Sequence, residues 1–92
     1  MAIFVTMQVG PVDWAKFKKA LDWSTPFRPQ GRLTAQIYRS ESEPNQVLVV
    51  ERWISHDAMH EYQDKYGDEF NQRAGTEGME WKVNIWDLAE SF

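Results

Sequence analysis

The residues of this chain that could do chemistry are two histidines, a set of aromatics, and a few polar side chains set among apolar ones. His56 and His60 stand four apart in HDAMH, which places both imidazoles on one helix face, as in the zinc-binding HExxH pattern. Asp57 stands where that pattern has glutamate, and its shorter reach would misplace the base. On a helical wheel centred near Met59 and Tyr66, His60 lies about 115° and Asp64 about 155° from the apolar stripe. The reading is therefore two solvated histidines and no metal site, with the mouth of a pocket as the other place either could reach.

The aromatics are more informative. Trp53 closes an apolar run at a strand end, where it is either a packing corner or part of a site. Tyr62 and Tyr66 combine a ring suited to a core stripe with a hydroxyl that needs a partner, so each is either a satisfied core tyrosine or a group that orients a phenolic ligand. Asn84 is a polar side chain in the middle of a strand, a candidate hydrogen-bond donor to a ligand or across an interface. Arg52 sits in an otherwise apolar strand and calls for a carboxylate, a partner subunit or an anionic ligand. Glu51 cannot be that carboxylate, since neighbours on a strand face opposite ways. No Ser–His–Asp set and no glycine-rich phosphate loop is present.

Composition bounds what these residues can serve. The 92 residues make one domain, 1–92, whose core is small: a chain of this size buries roughly 60–65% of its unfolded surface. Yet it carries five Trp, three Tyr and five Phe, a surplus that must line a pocket, an interface or both. The net charge of −4, with both signs interleaved, argues against a nucleic-acid partner. The absence of cysteine excludes disulfides and thiolate chemistry. MAIFVTMQVG reads as neither a signal peptide nor a membrane span, so no membrane partner and a cytoplasmic location are expected.

The elements that must position these residues follow from periodicity. Ala2 to Val9 alternates as a strand, ended by Gly10-Pro11. Asp13 caps a helix reaching about Asp22, with Trp14, Phe17 and Leu21 on its apolar stripe. Trp23 to Gly31 reads as a loop with two prolines, its Trp23 and Phe27 either plugging the core or forming a lid. Arg32 to Ser42 is a second strand, joined through Pro44-Asn45 to a third over Val47–Ile54. Val47-Leu48-Val49-Val50 is apolar on both faces, so both sides of that strand should be covered. Ser55 caps a second helix running towards Arg73, disturbed at Gly67, with Met59, Tyr62, Tyr66 and Phe70 as its stripe. Met79 to Leu88 is the last strand, with Trp81, Val83 and Ile85 facing one way and Lys82, Asn84 and Trp86 the other. The order βαββαβ folds as an α+β, ferredoxin-like antiparallel sheet with both helices on one face. The other face remains apolar, and a second copy of the chain is the expected cover, giving a homodimer packed sheet against sheet.

The segment VLVVERWISHDAMHEY resembles the signature of the antibiotic biosynthesis monooxygenase superfamily of dimeric α/β barrels. The likeness lies in an apolar strand, then Glu51-Arg52-Trp53-Ile54-Ser55, then a helix opening with His56-Asp57-Ala58. The upstream GRLTAQIYRSESEPN is similar to the family's glycine-led second strand. The resemblance implies a small-molecule pocket between sheet and helices. In cofactor-independent members, Trp, Asn, Tyr and His side chains bind and deprotonate electron-rich phenols that react directly with oxygen. Trp53 matches the family's tryptophan. Tyr62 falls where many members carry a histidine, and Thr6 and Gln8 stand where haem-degrading relatives have an asparagine, which removes support for haem.

Two function classes follow. The first is a cofactor-independent monooxygenase-like protein acting on a small aromatic quinol or polyketide-type phenol, with Trp53, Tyr62 and Asn84 as catalytic candidates and Trp53, Tyr38, Tyr62, Tyr66 and Asn84 as the substrate-binding set. The second is a non-enzymatic small-molecule-binding or structural homodimer. No histidine falls on the core face, so the first reading lacks a proton acceptor, and this favours the second.

Overall fold

The computed structural model describes residues 2–27 and 29–92. Met1 and Arg28 fall outside these, so the loop reading is not followed at Arg28. The elements are β1 (Ile3–Val9), α1 (Trp14–Ser24), β2 (Arg32–Arg39), β3 (Val47–Trp53), α2 (His56–Ala74) and β4 (Lys82–Asp87). The expected βαββαβ order is what the chain adopts, as one antiparallel sheet in the order β2-β3-β1-β4.

Local chemistry places the helix ends. The Asp13 carboxylate accepts from the Lys16 N–H at 3.3 Å, and the Ser55 hydroxyl oxygen accepts from the Ala58 N–H at 3.1 Å. Each satisfies an amide that the first helical turn leaves without a partner. At the far end of α2, Gly75 takes the left-handed conformation (φ 73°) that stops helices without steric cost.

Some boundaries depart from the sequence reading. Trp23 belongs to the last turn of α1 and not to the loop. β2 ends at Arg39 because the chain turns there, with Ser40 N–H bonded to Gln46 O at 2.9 Å. β4 begins only at Lys82, so Trp81 lies ahead of it. Gly67 does not interrupt α2, since its loss of helix propensity, about 1 kcal/mol, is small beside the packing of a 19-residue helix.

Strand register decides which residues share a face. Val5 stands opposite Glu51 and Ile85, and Ile3 opposite Trp53. Parity then sends Ile3, Val5, Val9, Val47, Val49, Glu51 and Trp53 towards the helices. There the apolar ones form two buried clusters, one around Phe17, Ala20 and Ala74, the other joining Trp53 to Met59. The opposite face carries Phe4, Tyr38, Leu48, Val50, Arg52, Asn84 and Trp86. In the single chain Val50 is buried and Leu48 half-buried among their strand neighbours, while Phe4, Tyr38 and Trp86 are exposed.

One irregularity bears on the site. Between Arg32 and Thr34 the β2–β3 register shifts, so that Arg32 pairs with Trp53 while Thr34 pairs with the adjacent Arg52. Simple alternation would put Arg32 on the same face as Thr34. The bulge re-aims it to the helix side.

Candidate functional site

Between the helix-facing side of the sheet and the two helices lies a cavity of about 720 Å³. This is the size range of small-molecule sites. Its floor is Ile37, Val49 and Met7, its roof Tyr62, Tyr66 and Phe70 of α2, and Leu21 and Trp81 contribute at the sides. Met59 and Ala74 of α2 belong to the two buried clusters over β1 and β3, while Tyr62, Tyr66 and Phe70 between them face the cavity.

The aromatics continue as a chain along α2. Trp53 packs on Tyr62 at 5.8 Å between ring centroids and Tyr62 on Tyr66 at 5.1 Å. Tyr66 in turn stacks on Phe27 at 5.0 Å, and Phe27 meets Trp23 edge to face at 5.1 Å. These distances are those of favourable aromatic pairs. Phe27 and Trp23 thus pack against the outer part of α2, while Ser24, Thr25 and Pro29 beside them line the cavity.

One end of the cavity is polar. Glu51 lies on its wall with a side chain only 9% exposed. Oε2 accepts from Arg32 Nη1 at 3.3 Å, and Oε1 accepts from the indole N–H of Trp53 at 3.2 Å. The Arg32 guanidinium lies 5.8 Å from the centre of the Tyr62 ring. Burial pushes the Glu51 carboxyl above its ordinary value of 4.5, and the Trp53 and Arg32 contacts pull it back only in part. Burial likewise raises the Tyr62 phenol above 10.0, with Arg32 opposing and the Glu51 and Tyr66 charges adding to the rise.

The expected site residues divide into two groups. Tyr62 and Tyr66 line the cavity. Trp53 is fully buried and sits behind the wall, where it touches Tyr62 and Glu51. Tyr38 and Asn84 are on the opposite face of the sheet: Tyr38 pairs with Leu48 and Asn84 with Thr6 in register. The geometry does not bring them to the other three. Trp81, just ahead of β4, lies at the cavity and Trp86, within β4, is exposed on the open face. Trp81 Nε1 is buried and has no hydrogen-bond partner among the described residues.

The His56 and His60 rings lie 4.8 Å apart, tilted by 43°, and both are exposed, as is Asp64. Among the described residues no group of three metal-ligating side chains comes together. Arg52 is exposed on the open face and forms no ion pair among the described residues.

Glu51 and Arg32 were the residues sequence reasoning passed over. Parity was the available signal for Glu51, which shares its face with Val49 and Trp53 two residues either side. For Arg32 the bulge removed that signal.

No family model matches the sequence, and no curated protein matches it. Solved structures do. A provisionally named antibiotic biosynthesis monooxygenase from Caulobacter crescentus CB15 superposes with a TM-score of 0.76 at 25% identity, covering 97% of this chain and 91% of that one. Rv0793 from Mycobacterium tuberculosis gives 0.76 at 18% identity over 99% and 98% of the two chains. SnoaB, a cofactor-independent oxygenase from Streptomyces nogalater, gives 0.72 at 17% identity over 98% and 94%. The chain has the ferredoxin-like fold of the antibiotic biosynthesis monooxygenase-like superfamily, as the Glu51–Ala58 stretch suggested.

Proposed function

We propose that this protein is a cofactor-independent monooxygenase acting on a small electron-rich aromatic molecule, a quinol or polyketide-type phenol, bound between sheet and helices. The observation that carries the reading is the cavity itself: an apolar floor of Met7, Ile37 and Val49, an aromatic roof of Tyr62, Tyr66 and Phe70, and the buried Glu51 carboxylate with Arg32 at one end. Such a site binds a flat ring by its faces and addresses one hydroxyl. The likeness to SnoaB supports the reaction class.

The chemistry needs a deprotonated substrate, one-electron transfer from it to oxygen, and recombination of the two radicals to a hydroperoxide at carbon. Loss of water then leaves a carbonyl where a methylene or aromatic C–H stood. One O2 is consumed and one water formed, which balances the reaction. Such intermediates are best kept from solvent, and the apolar floor and aromatic roof serve that end.

The subunit acts as a homodimer in this proposal. Its open sheet face exposes Trp86 by 57% together with Phe4 and Tyr38, aromatic surface that a partner would take out of water. A second copy related by a two-fold axis covers it with itself.

The test is oxygen uptake with a panel of hydroquinones and anthrones, on the wild type and on Ile37→Trp, which fills the cavity floor. Turnover in the wild type that is abolished in the folded variant supports the reading. Flat traces for every substrate reassign the chain to a non-catalytic ligand-binding dimer.

A further inference from the structure

The proposed reaction starts by removing a proton, and no histidine lines the cavity. The structure supplies another acceptor. We propose that Glu51 takes the proton from the phenolic hydroxyl of the bound molecule and that Arg32 holds the phenolate so formed.

Three observations carry this. The first is spare capacity. A carboxylate offers about four acceptor positions. Arg32 uses one on Oε2 and Trp53 one on Oε1, which are the two side-chain bonds Glu51 makes among the described residues. Each oxygen keeps a free lone pair, and Glu51 forms part of the cavity wall.

The second is orientation. The Trp53 N–H locks one oxygen from the core side, while the Arg32 contact, single and 3.3 Å long, is looser than the usual bidentate guanidinium–carboxylate pair. Guanidinium N–H groups are thereby left for a second anion beside Glu51. The bulge at Arg32/Thr34 brings that guanidinium to this face of the sheet.

The third is charge balance. Before transfer the site holds a carboxylate and a guanidinium; afterwards it holds a neutral carboxyl, a phenolate and the same guanidinium. The O–H bond of the phenol breaks, its electron pair stays on the phenolic oxygen, and the proton bonds to a Glu51 oxygen. Nothing is oxidised in this step. One ion pair replaces another, so no net charge is created beside the buried carboxyl. Burial also makes Glu51 a stronger base than an exposed carboxylate. The other ionisable groups on the wall are Tyr62, Tyr66 and the exposed Asp68.

The inference rests on the phenol pocket proposed above, so its test reads binding and proton movement separately. A mononitrophenol is bound at a pH below its own pKa, where the free probe is neutral. Tryptophan quenching reports binding, the visible nitrophenolate band reports ionisation, and an indicator dye in weak buffer counts protons released. For the wild type the expected result is quenching, a nitrophenolate band and near-zero proton release, because the proton stays on Glu51. In Glu51→Gln the band is either lost or accompanied by release of about one proton per probe. Should that variant fail to fold, infrared difference spectra of the wild type read the same event, as a protonated-carboxyl band that appears on binding. A wild-type probe bound in its neutral form, or ionised with one proton released to solvent, overturns the assignment while leaving the pocket standing. Unchanged behaviour in Glu51→Gln overturns it too. Absence of quenching by every nitrophenol tried overturns the pocket and the assignment together.

Discussion

The indole N–H of Trp53 donates to Oε1 of Glu51 at 3.2 Å, between two buried side chains that share one face of β3. The tryptophan does not line the cavity. It acts on the cavity through the carboxylate it holds, which makes it a positioning residue in the proposed chemistry.

Replacing Trp53 with phenylalanine removes that bond and leaves a void behind a fully buried side chain. The expected loss of stability is about 1–3 kcal/mol, read from urea midpoints at unchanged slope. Since the bond favours the ionised carboxylate, its loss raises the Glu51 pKa further. The acid limb of the kcat/KM profile should then move to higher pH. A limb that stays in place would separate Trp53 from Glu51 function.

Glu51 also makes stability depend on pH. Its folded-state pKa is raised above 4.5, so the folded protein binds this proton more tightly than the unfolded chain does. The associated stability is fully present below about 4.5 and is lost as pH rises through the folded value. Glu51→Gln abolishes this component. Thermal midpoints measured from pH 4 upward should therefore fall less steeply in the variant than in the wild type, and parallel curves would contradict the burial argument.

Gly31 is a position where only glycine fits. Its φ is +92°, and an added Cβ would meet Ile54 Cγ1 at 2.9 Å and Ala58 Cβ at 3.0 Å. Its carbonyl accepts from the Ile54 N–H at 2.8 Å, which ties the start of β2 to the β3–α2 corner. Gly31→Ala should cost about 1–3 kcal/mol in chemical denaturation. The same variant should loosen the Arg32 bulge next to it and lower affinity for phenolic ligands.

The dimer proposal is tested on the open face. Trp86→Asp puts a charge at its most exposed large aromatic within the sheet and should give a folded monomer by light scattering at micromolar concentration, against a wild-type dimer. A wild type that is itself monomeric under those conditions would sink the proposal.

Much of the fold was legible because it rests on local rules. Asp13 and Ser55 are helix caps whose side chains have one obvious use, and both take it. The alternation of Ile3, Val5, Met7 and Val9 needs only the two-residue period of a strand. The Met59–Tyr62–Tyr66–Phe70 stripe needs only the helical one, and those four residues do face the sheet and the cavity. The site was legible in part. Tyr62 and Tyr66 were placed by the stripe, whereas Tyr38 and Asn84 were chosen for their chemistry, and register puts them on the other face.

The sequence by itself determined the order of elements, the faces of the helices and the exclusion of cysteine chemistry, because each depends on residues within a few positions of one another. It carried no account of Arg32 reaching Glu51, a pair separated by 19 positions and joined only through a register shift between two strands. Whether a charged side chain is solvated or buried against a partner is a property of the assembled sheet. A one-residue slip turns every side chain beyond it to the other face, and only the tertiary structure decided where that slip falls.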